Sequence, residues 1–321
     1  MFIFANNLQA VCVIAENFEN LEVSAAFLLE WLASRRRRAL SGKYTMTRRT
    51  LGGALLGAVA NRNMGAQTGR WLVYYSNQAP VHAFDPYSFL ILDSRYHPPL
   101  APLRKQGKRL IGYISLGEAS EDYAYFGDLL AEGLLLKASA TWKGNRYIDI
   151  RDRRWHARLC EKIVPAVLAK GFDGLFLDTL DSPLHMEQVE PAAFAGMAAS
   201  AAQLIQELRR RYPRITIVLN RAYSLLDKVD SHIDVALGES VYSTFDFERK
   251  EYRLVAPETY RLQVRWLQEA ARRRSGLRVF TLDYWNPADP AGIAKIYREE
   301  RANGFAPYVT SVDLTNVVNE P

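Results

Sequence analysis

The chain has 321 residues, of which 49% are apolar and 24% are charged, so it has the composition of an ordinary globular protein with enough mass for a sizeable core. Its net charge of +6 is concentrated at the amino end, because residues 1–65 hold eight basic and four acidic residues and supply +4 of it. The remaining +2 is too small an excess for the basic surface of a nucleic-acid-binding protein, and we expect no nucleic-acid partner.

The amino-terminal segment has the pattern of an export signal. Arg48 and Arg49 precede a short apolar run that ends in the small residues 58–60. The sequence Thr-Arg-Arg-x-Leu resembles a twin-arginine motif, and the apolar run is far shorter than the roughly 20 residues of a membrane span. We therefore predict export to the periplasm or the cell exterior, without a permanent membrane anchor. The predicted segments are an extension at 1–45, which is either a long n-region or lies upstream of a true start at Met46, a signal at 46–66 and a mature domain at 67–321.

From residue 70 onward, strand-like and helical patterns alternate. Eight apolar runs rich in Val, Ile, Leu and Phe are typical of strands that are buried on both faces of a parallel sheet. The predicted strands are Trp71–Ser76, Phe89–Ser94, Arg109–Gly117, Phe172–Thr179, Ile215–Asn220, Ile233–Glu239, Leu277–Trp285 and Ala306–Asp313. The clearest predicted helices are Trp155–Lys170, Ala192–Tyr212, Glu258–Arg274 and Pro290–Asn303. Eight alternations within about 250 residues predict an α/β fold, a single (β/α)8 TIM barrel preceded by the N-terminal export segment.

Five of the apolar runs lead into a carboxylate. The acids are Asp93, Glu118, Asp178, Glu239 and Asp283. Because the carboxyl ends of barrel strands meet on the face where such enzymes do their chemistry, these acids predict a carboxylate-rich pocket. Each acid alone is as well explained as a cap of the helix that follows, which is the role expected of Asp181 and Asp289. Five acids at one end of a barrel make capping a poor explanation for the whole set.

A pair of carboxylates suits glycoside hydrolysis, in which one group donates a proton and the other acts as nucleophile or base. Clustered acids also bind metals, but the five histidines include no H-x-x-x-H pair, and we predict no metal site. No glycine-rich phosphate loop follows a strand, so we predict no nucleotide or dinucleotide site. Tyr75, Tyr242 and Trp285 fall at the predicted rim, where they either stack on sugar rings and attract an amino sugar's ammonium or pack only as lids.

Three stretches of the sequence carry a family resemblance. They are Trp-Leu-Val-Tyr-Tyr at 71–75, Gly-Tyr-Ile-Ser-Leu-Gly-Glu at 112–118 and Gly-Phe-Asp-Gly-Leu-Phe-Leu-Asp at 171–178. These stretches resemble the bacterial and fungal endo-α-1,4-polygalactosaminidases of glycoside hydrolase family 114 and its relatives, which include the hydrolase domain tied to the Pel biofilm polysaccharide. The resemblance extends from about Arg70 to Val317. It implies a TIM barrel, secretion, and cleavage of galactosamine-rich exopolysaccharide without a cofactor.

The resemblance also implies roles for individual residues. The family's catalytic pair, an Asp that ends the fourth strand and a Glu that ends the sixth, falls here on Asp178 and Glu239. By analogy with related barrel glycosidases, Asp178 is the nucleophile and Glu239 the acid/base of a retaining enzyme. Arg221 departs from the Asn-Gly or Asn-Asn pair expected after the fifth strand, and its cation would disfavour a polycationic substrate at close range. The predicted substrate-binding residues are Tyr75, Asp93, Glu118, Asn220, Tyr242, Asp283 and Trp285.

Two alternatives to this reading of the function stay open. The first is a catalytically silent TIM barrel that only binds carbohydrate, for example in biofilm attachment. The second is a metal-assisted hydrolase that uses the same carboxylates. In each case we expect a monomer whose partner is a polysaccharide.

Overall fold

The structure is a computed structural model and describes residues 69–140 and 142–321. The extension and the signal segment predicted at 1–66 lie outside the described residues. Within the described part, no helix combines the length and the apolar character needed to cross a lipid bilayer.

The eight predicted strands are all present and form one parallel sheet. In chain order the strands of the described residues are β1 (Arg70–Tyr74), β2 (Tyr87–Leu92), β3 (Arg109–Ser115), β4 (Glu118–Ser120), β5 (Leu135–Ala138), β6 (Asn145–Ile148), β7 (Gly174–Asp178), β8 (Thr216–Asn220), β9 (Val235–Glu239), β10 (Ser243–Asp246), β11 (Glu251–Leu254), β12 (Arg278–Tyr284) and β13 (Ala306–Thr310). The main sheet has the order β1-β2-β3-β7-β8-β9-β12-β13. Each strand runs parallel to its neighbour, as in the predicted TIM barrel.

The sheet curls until its last strand lies against its first. The indole Nε1 of Trp71 on β1 donates a hydrogen bond of 2.9 Å to the carbonyl oxygen of Ala306 on β13. Phe280 on β12 contacts the rings of Trp71 and Phe89, at centroid distances of 4.5 and 5.4 Å. Since β1 and β2 are not neighbours of β12, these rings meet inside the barrel. Phe280 therefore points inward, and so do the side chains two residues apart from it along β12, up to Tyr284.

Helices follow most barrel strands. They are α1 (Leu100–Lys105), α2 (Phe126–Ala131), α3 (Arg153–Arg158), α4 (Val164–Ala169), α5 (Asp181–Val189), α6 (Pro191–Phe194), α7 (Met197–Arg211), α8 (Leu226–Val229), α9 (Pro257–Arg273) and α10 (Pro290–Ala302). A π-helical segment, Leu159–Ile163, joins α3 to α4, so the first predicted helix is continuous. The helix predicted at Ala192–Tyr212 is instead divided into α6 and α7. The division lies at Gly196, whose φ of 92° is left-handed and ends a right-handed helix.

Two small antiparallel sheets extend the barrel. The insert after β3 forms a three-stranded sheet of order β4-β6-β5, in which β6 is the extra strand predicted near Tyr147. The hairpin β10-β11 follows β9 within four residues. Because β4 begins soon after the carboxyl end of β3 and the hairpin soon after that of β9, both sheets extend the end of the barrel at which the predicted catalytic acids lie.

Candidate active site

Three neighbouring barrel strands end in polar side chains that contact one another. Asp178 is the last residue of β7, Asn220 of β8 and Glu239 of β9. The Nδ2 atom of Asn220 donates to Oδ1 of Asp178 at 2.8 Å and to Oε2 of Glu239 at 2.6 Å. The two carboxylate oxygens are therefore no more than 5.4 Å apart, the sum of the two hydrogen-bond lengths. The sequence predicted these three residues as site residues, and the structure brings them together.

Glu239 has a second partner, Tyr284 at the end of β12. The hydroxyl of Tyr284, which is fully buried, donates to Oε1 of Glu239. Burial and then the nearby charge of Asp178 raise the pKa of Glu239 to about 7, although the hydrogen bonds from Tyr284 and Asn220 act in the opposite direction. A carboxyl group with this raised pKa is partly protonated near neutral pH, which suits a proton donor.

Asp178 lies among tyrosines. Tyr113 on β3 donates a hydrogen bond to its carboxylate, and the ring of Tyr75 lies edge-on to that of Tyr113 at a centroid distance of 5.3 Å. The pKa of Asp178 is raised, first by burial and also by the charge of Asp181, while the bonds from Asn220, the Thr179 amide and Tyr113 act in the opposite direction. These three donors partly offset the effect of burial and so support the ionised form required of a nucleophile.

The backbone is strained directly after each of these three strands. Thr179, Arg221, Ala222 and Ser240 all have left-handed φ angles, between 44° and 64°. This region is rarely occupied by residues other than glycine, and least by a β-branched residue such as Thr179. Thr179 is held by its own hydroxyl, which accepts from the amide of Gly117 at 2.9 Å and donates to the Asp178 carbonyl at 2.7 Å. Strained residues of this kind cluster at functional sites.

Arg221 is buried beside this group, and its charge has a counter-ion. Its Nε atom lies 3.3 Å from Oδ2 of Asp181. The prediction that Asp181 caps a helix was wrong, because α5 begins at Asp181 itself and the preceding residue, Leu180, makes no capping bond from its side chain. The same prediction for Asp289 is confirmed, since its side chain accepts a bond of 2.9 Å from the Gly292 amide.

Asp93 and Glu118 lie at this end of the barrel but bond to other partners. Oδ1 of Asp93 accepts from two amides of its own loop, at Arg95 and Tyr96. Glu118 is 1% exposed and belongs to β4, and its Oε1 accepts from the Ser182 hydroxyl at 2.6 Å. Burial raises the pKa of Glu118 to about 7. Both acids have clear local roles, and the structure does not bring them into contact with Asp178 or Glu239.

Asp283 points away from the site. Because Tyr284 points into the barrel, Asp283, one residue earlier on β12, faces the surrounding helices. It is fully buried, and its Oδ1 accepts from the amides of Tyr242 and Ser243 at 2.7 and 2.8 Å. The predicted contact between Asp283 and substrate therefore receives no support from the structure. Its observed role is to hold the loop that follows Glu239.

The two remaining predicted residues, Tyr242 and Trp285, are half-buried in the loops after β9 and β12. Trp285 Nε1 donates to Oδ2 of Asp289 at 2.9 Å, which fixes the plane of the indole. Tyr242 lies edge-on to Tyr260 at 5.0 Å. Among residues 69–140 and 142–321, no three His, Cys, Asp or Glu side chains converge as ligands for one metal ion.

Comparisons with known proteins place this chain among carbohydrate-active barrels. The sequence profile of glycoside-hydrolase family GH114 matches residues 58–320. An uncharacterized protein of Deinococcus radiodurans is 28% identical over 236 residues, which cover 70% of this chain and 71% of that protein. The glycoside hydrolase domain of PelA from Pseudomonas aeruginosa superposes with a TM-score of 0.68 at 21% identity, over 78% of this chain and 98% of that domain. Aspergillus fumigatus Ega3, in complex with galactosamine, superposes with a TM-score of 0.55 at 15% identity, over 77% of this chain and 93% of Ega3. Both structures share the barrel fold with this chain.

Proposed function

We propose a function on the premise that this chain belongs to glycoside-hydrolase family GH114 and is a glycosidase. On this proposal, it cleaves an α-linked, galactosamine-containing polysaccharide with Asp178 and Glu239 as its catalytic carboxylates. The observation that carries the proposal is the single amide nitrogen of Asn220 that bonds to both acids. The resulting limit of 5.4 Å between their oxygens suits retaining glycosidases, whose carboxyl groups lie about 5–5.5 Å apart. Inverting enzymes need about 6.5–9.5 Å, to leave room for a water molecule.

The mechanism then has two displacement steps. In the first, a carboxylate oxygen of Asp178 forms a bond to the anomeric carbon, the bond from that carbon to the glycosidic oxygen breaks, and Glu239 gives its proton to the leaving oxygen. In the second, Glu239, now ionised, takes a proton from water. The water oxygen bonds to the anomeric carbon and the ester bond to Asp178 breaks, which restores both carboxyl groups to their initial state. The raised pKa of Glu239 and the three donors to Asp178 fit these roles.

The charge around the pair supports an amino sugar as substrate. Arg221 lies 3.3 Å from Asp181, and Arg95 lies 4.0 Å from Asp93, so each of these two cations faces a carboxylate. The repulsion of a polycation expected from Arg221 is therefore reduced, and Arg221 does not pair with the carboxylate of Asp178. A protonated galactosamine unit would be attracted to this end of the barrel. The galactosamine found in the structural relative Ega3 agrees with this substrate class.

The proposal includes export of the protein, because an enzyme that cleaves a polysaccharide outside the cell must itself leave the cytoplasm. Its support is the twin-arginine-like pattern at 46–66, in the part of the chain that precedes the described residues.

The direct test is incubation with a partially deacetylated α-1,4-linked N-acetylgalactosamine polymer and, in parallel, with a neutral α-galactan. We expect oligomers only from the first, detected by mass, with the new reducing end formed in the α configuration as seen by early-time NMR. Asp178→Asn and Glu239→Gln should each lower turnover by at least about 100-fold. Glu258→Gln, at a well exposed position in the first turn of α9, is the matched control and should keep full activity.

Other outcomes favour the alternatives. A wild-type protein that binds the polymer and releases nothing fits the carbohydrate-binding barrel. Loss of turnover after treatment with a chelator, restored by added metal, fits the metal-assisted hydrolase. Products of inverted configuration contradict the role of Asp178 as nucleophile.

A further inference from the structure

The hairpin β10-β11 is buried along its first strand and largely exposed along its second. On β10, Ser243, Thr244 and Asp246 are 0%, 2% and 6% exposed, whereas Glu251 and Leu254 at the ends of β11 are exposed. The central cross-strand pair, Phe245 and Tyr252, lies on one face of the hairpin and is half-buried. These aromatic rings therefore keep part of their surface open to solvent.

Two of the buried polar side chains have partners nearby. The Thr244 hydroxyl donates to that of Ser240 at 3.2 Å, directly after Glu239. Asp246 accepts from the Arg249 amide at 2.8 Å and lies 3.5 Å from Nε of Arg253. The first of these contacts fixes the hairpin to the residue that follows Glu239. On the other face, Tyr252 packs partly against the hydrophobic core.

The aromatic face forms a row of rings that reaches the end of β12. Phe245 lies edge-on to Phe247 at a centroid distance of 5.0 Å and to Tyr252 at 4.9 Å. Tyr252 in turn lies 6.4 Å from Trp285, which directly follows Tyr284. The Tyr252 hydroxyl accepts from the Val312 amide at 3.4 Å, so the row runs over the carboxyl ends of β12 and β13. We call Phe245, Phe247, Tyr252 and Trp285 the hairpin row.

The role of Glu239 as proton donor indicates on which side of the cleaved bond the hairpin row lies. The proton donor of a glycosidase lies beside the leaving oxygen, so chain segments that extend from Glu239 lie on the side of the leaving group. The hairpin begins four residues after Glu239 and is continuous with the site through Trp285 and Tyr284. An apolar surface next to a site is commonly covered by that site's ligand.

We propose that the hairpin row is a subsite for pyranose rings in the leaving half of the polysaccharide chain. The inference rests on the proposed function, because it takes the cleaved polymer as its ligand. The apolar faces of successive sugar rings would cover the aromatic rings. A protonated amino group would add a cation–π attraction to the ring faces.

The test compares a long chain with a short one. For Phe245→Ala, we expect the ratio of kcat/KM on the polymer to kcat/KM on its trisaccharide to fall about tenfold, which corresponds to the loss of one cation–π contact of ordinary strength. Phe245→Tyr should keep the ratio, because an aromatic face remains. Phe245→Leu keeps an apolar side chain without an aromatic face and should behave like Phe245→Ala. The matched control is Leu130→Ala, which removes a 53% exposed apolar side chain on α2, outside the hairpin.

Two results would overturn the proposal. The first is an unchanged ratio in Phe245→Ala. The second is an equal loss on both substrates in a variant that melts like wild type, since that would mean that the hairpin only positions Glu239. If wild type cleaves neither substrate, the proposed function fails by itself. Binding by the hairpin row is then tested by electrophoresis of Glu239→Gln, with and without Phe245→Ala, in a gel that contains the polymer. If the polymer retards both variants equally, the proposed subsite is contradicted.

Discussion

Replacing Tyr284 by Phe should move the basic limb of the pH–activity profile to higher pH. The substitution removes one hydroxyl that is fully buried and donates to Oε1 of Glu239, and it leaves the ring in place. That bond stabilises the ionised form of Glu239 and lowers its pKa, so its loss raises the pKa above the value of about 7. A hydrogen bond to a charged group contributes about 1.5–3 kcal/mol, which corresponds to a shift of roughly one to two pKa units.

The sign follows from the role of the group. If Glu239 must be protonated to act, activity is lost as pH rises through its pKa, and a higher pKa keeps the enzyme active at higher pH. The acidic limb, which reports the ionisation of Asp178, should move less. Peak activity should fall by less than the roughly 100- to 10,000-fold that loss of a general acid costs, because the acid itself remains.

The assay is kcat/KM against pH on a soluble oligosaccharide of the polymer, for wild type, Tyr284→Phe and a control. The control is Tyr308→Phe, another fully buried tyrosine of the barrel, whose hydroxyl accepts from the Val318 amide at 3.3 Å. Tyr308→Phe should leave both limbs unchanged. A basic limb that stays in place in Tyr284→Phe, or moves to lower pH, would refute the assignment of Glu239 as the proton donor.

Three further predictions concern the loops, the stability and the export of the protein. Gly117→Ala should destabilise by about 1–3 kcal/mol, since its Cβ would lie 2.3 Å from a backbone oxygen, whereas Gly127→Ala, in open space on α2, should be neutral or stabilising in thermal melts. Burial and the charge of Asp283 raise the pKa of Glu300 to about 9, so the folded state retains a proton that the unfolded state loses above about pH 4.5, and stability falls as pH rises between these values. Glu300→Gln should therefore raise the melting temperature at pH 8 more than at pH 5; a uniform change contradicts this. Replacing Arg48 and Arg49 together by Lys should retain the protein in the cytoplasm, as measured by fractionation, and unchanged export argues against a twin-arginine signal.

The fold could be predicted because the strands of a parallel barrel are recognisable in a sequence as continuous apolar runs. Each such strand is buried on both faces, and all eight predicted strands are present in the structure. The same property makes it impossible to predict whether a side chain points into the barrel or towards the helices, because the alternation of apolar and polar residues that would distinguish the two faces is absent. The sequence therefore does not distinguish Asp283 from Asp178, although the two side chains point in opposite directions, and it does not indicate that Tyr284 bonds to Glu239.

The partners of side chains were also beyond the reach of local sequence patterns. Asp181 has the local sequence of a helix cap, yet its partner is Arg221, forty residues later in the chain and one strand away. Likewise, nothing around Asn220 in the sequence indicates that one nitrogen bridges two carboxylates. That arrangement depends on β7, β8 and β9 being consecutive in the sheet, with Asn220 paired to Leu237, two residues before Glu239.

The strained residues after β7, β8 and β9 explain how three neighbouring strands present their last side chains so closely. A left-handed residue turns the chain away at once, so the preceding side chain is the last of its strand to point into the barrel. Each such residue costs about 1–3 kcal/mol, which local hydrogen bonds offset. The Arg221 amide donates to the Leu237 carbonyl at 2.8 Å, and the Ser240 amide to that of Leu282 at 2.8 Å. The strained backbone at these three strand ends accompanies the arrangement in which two acids lie within reach of a single amide nitrogen.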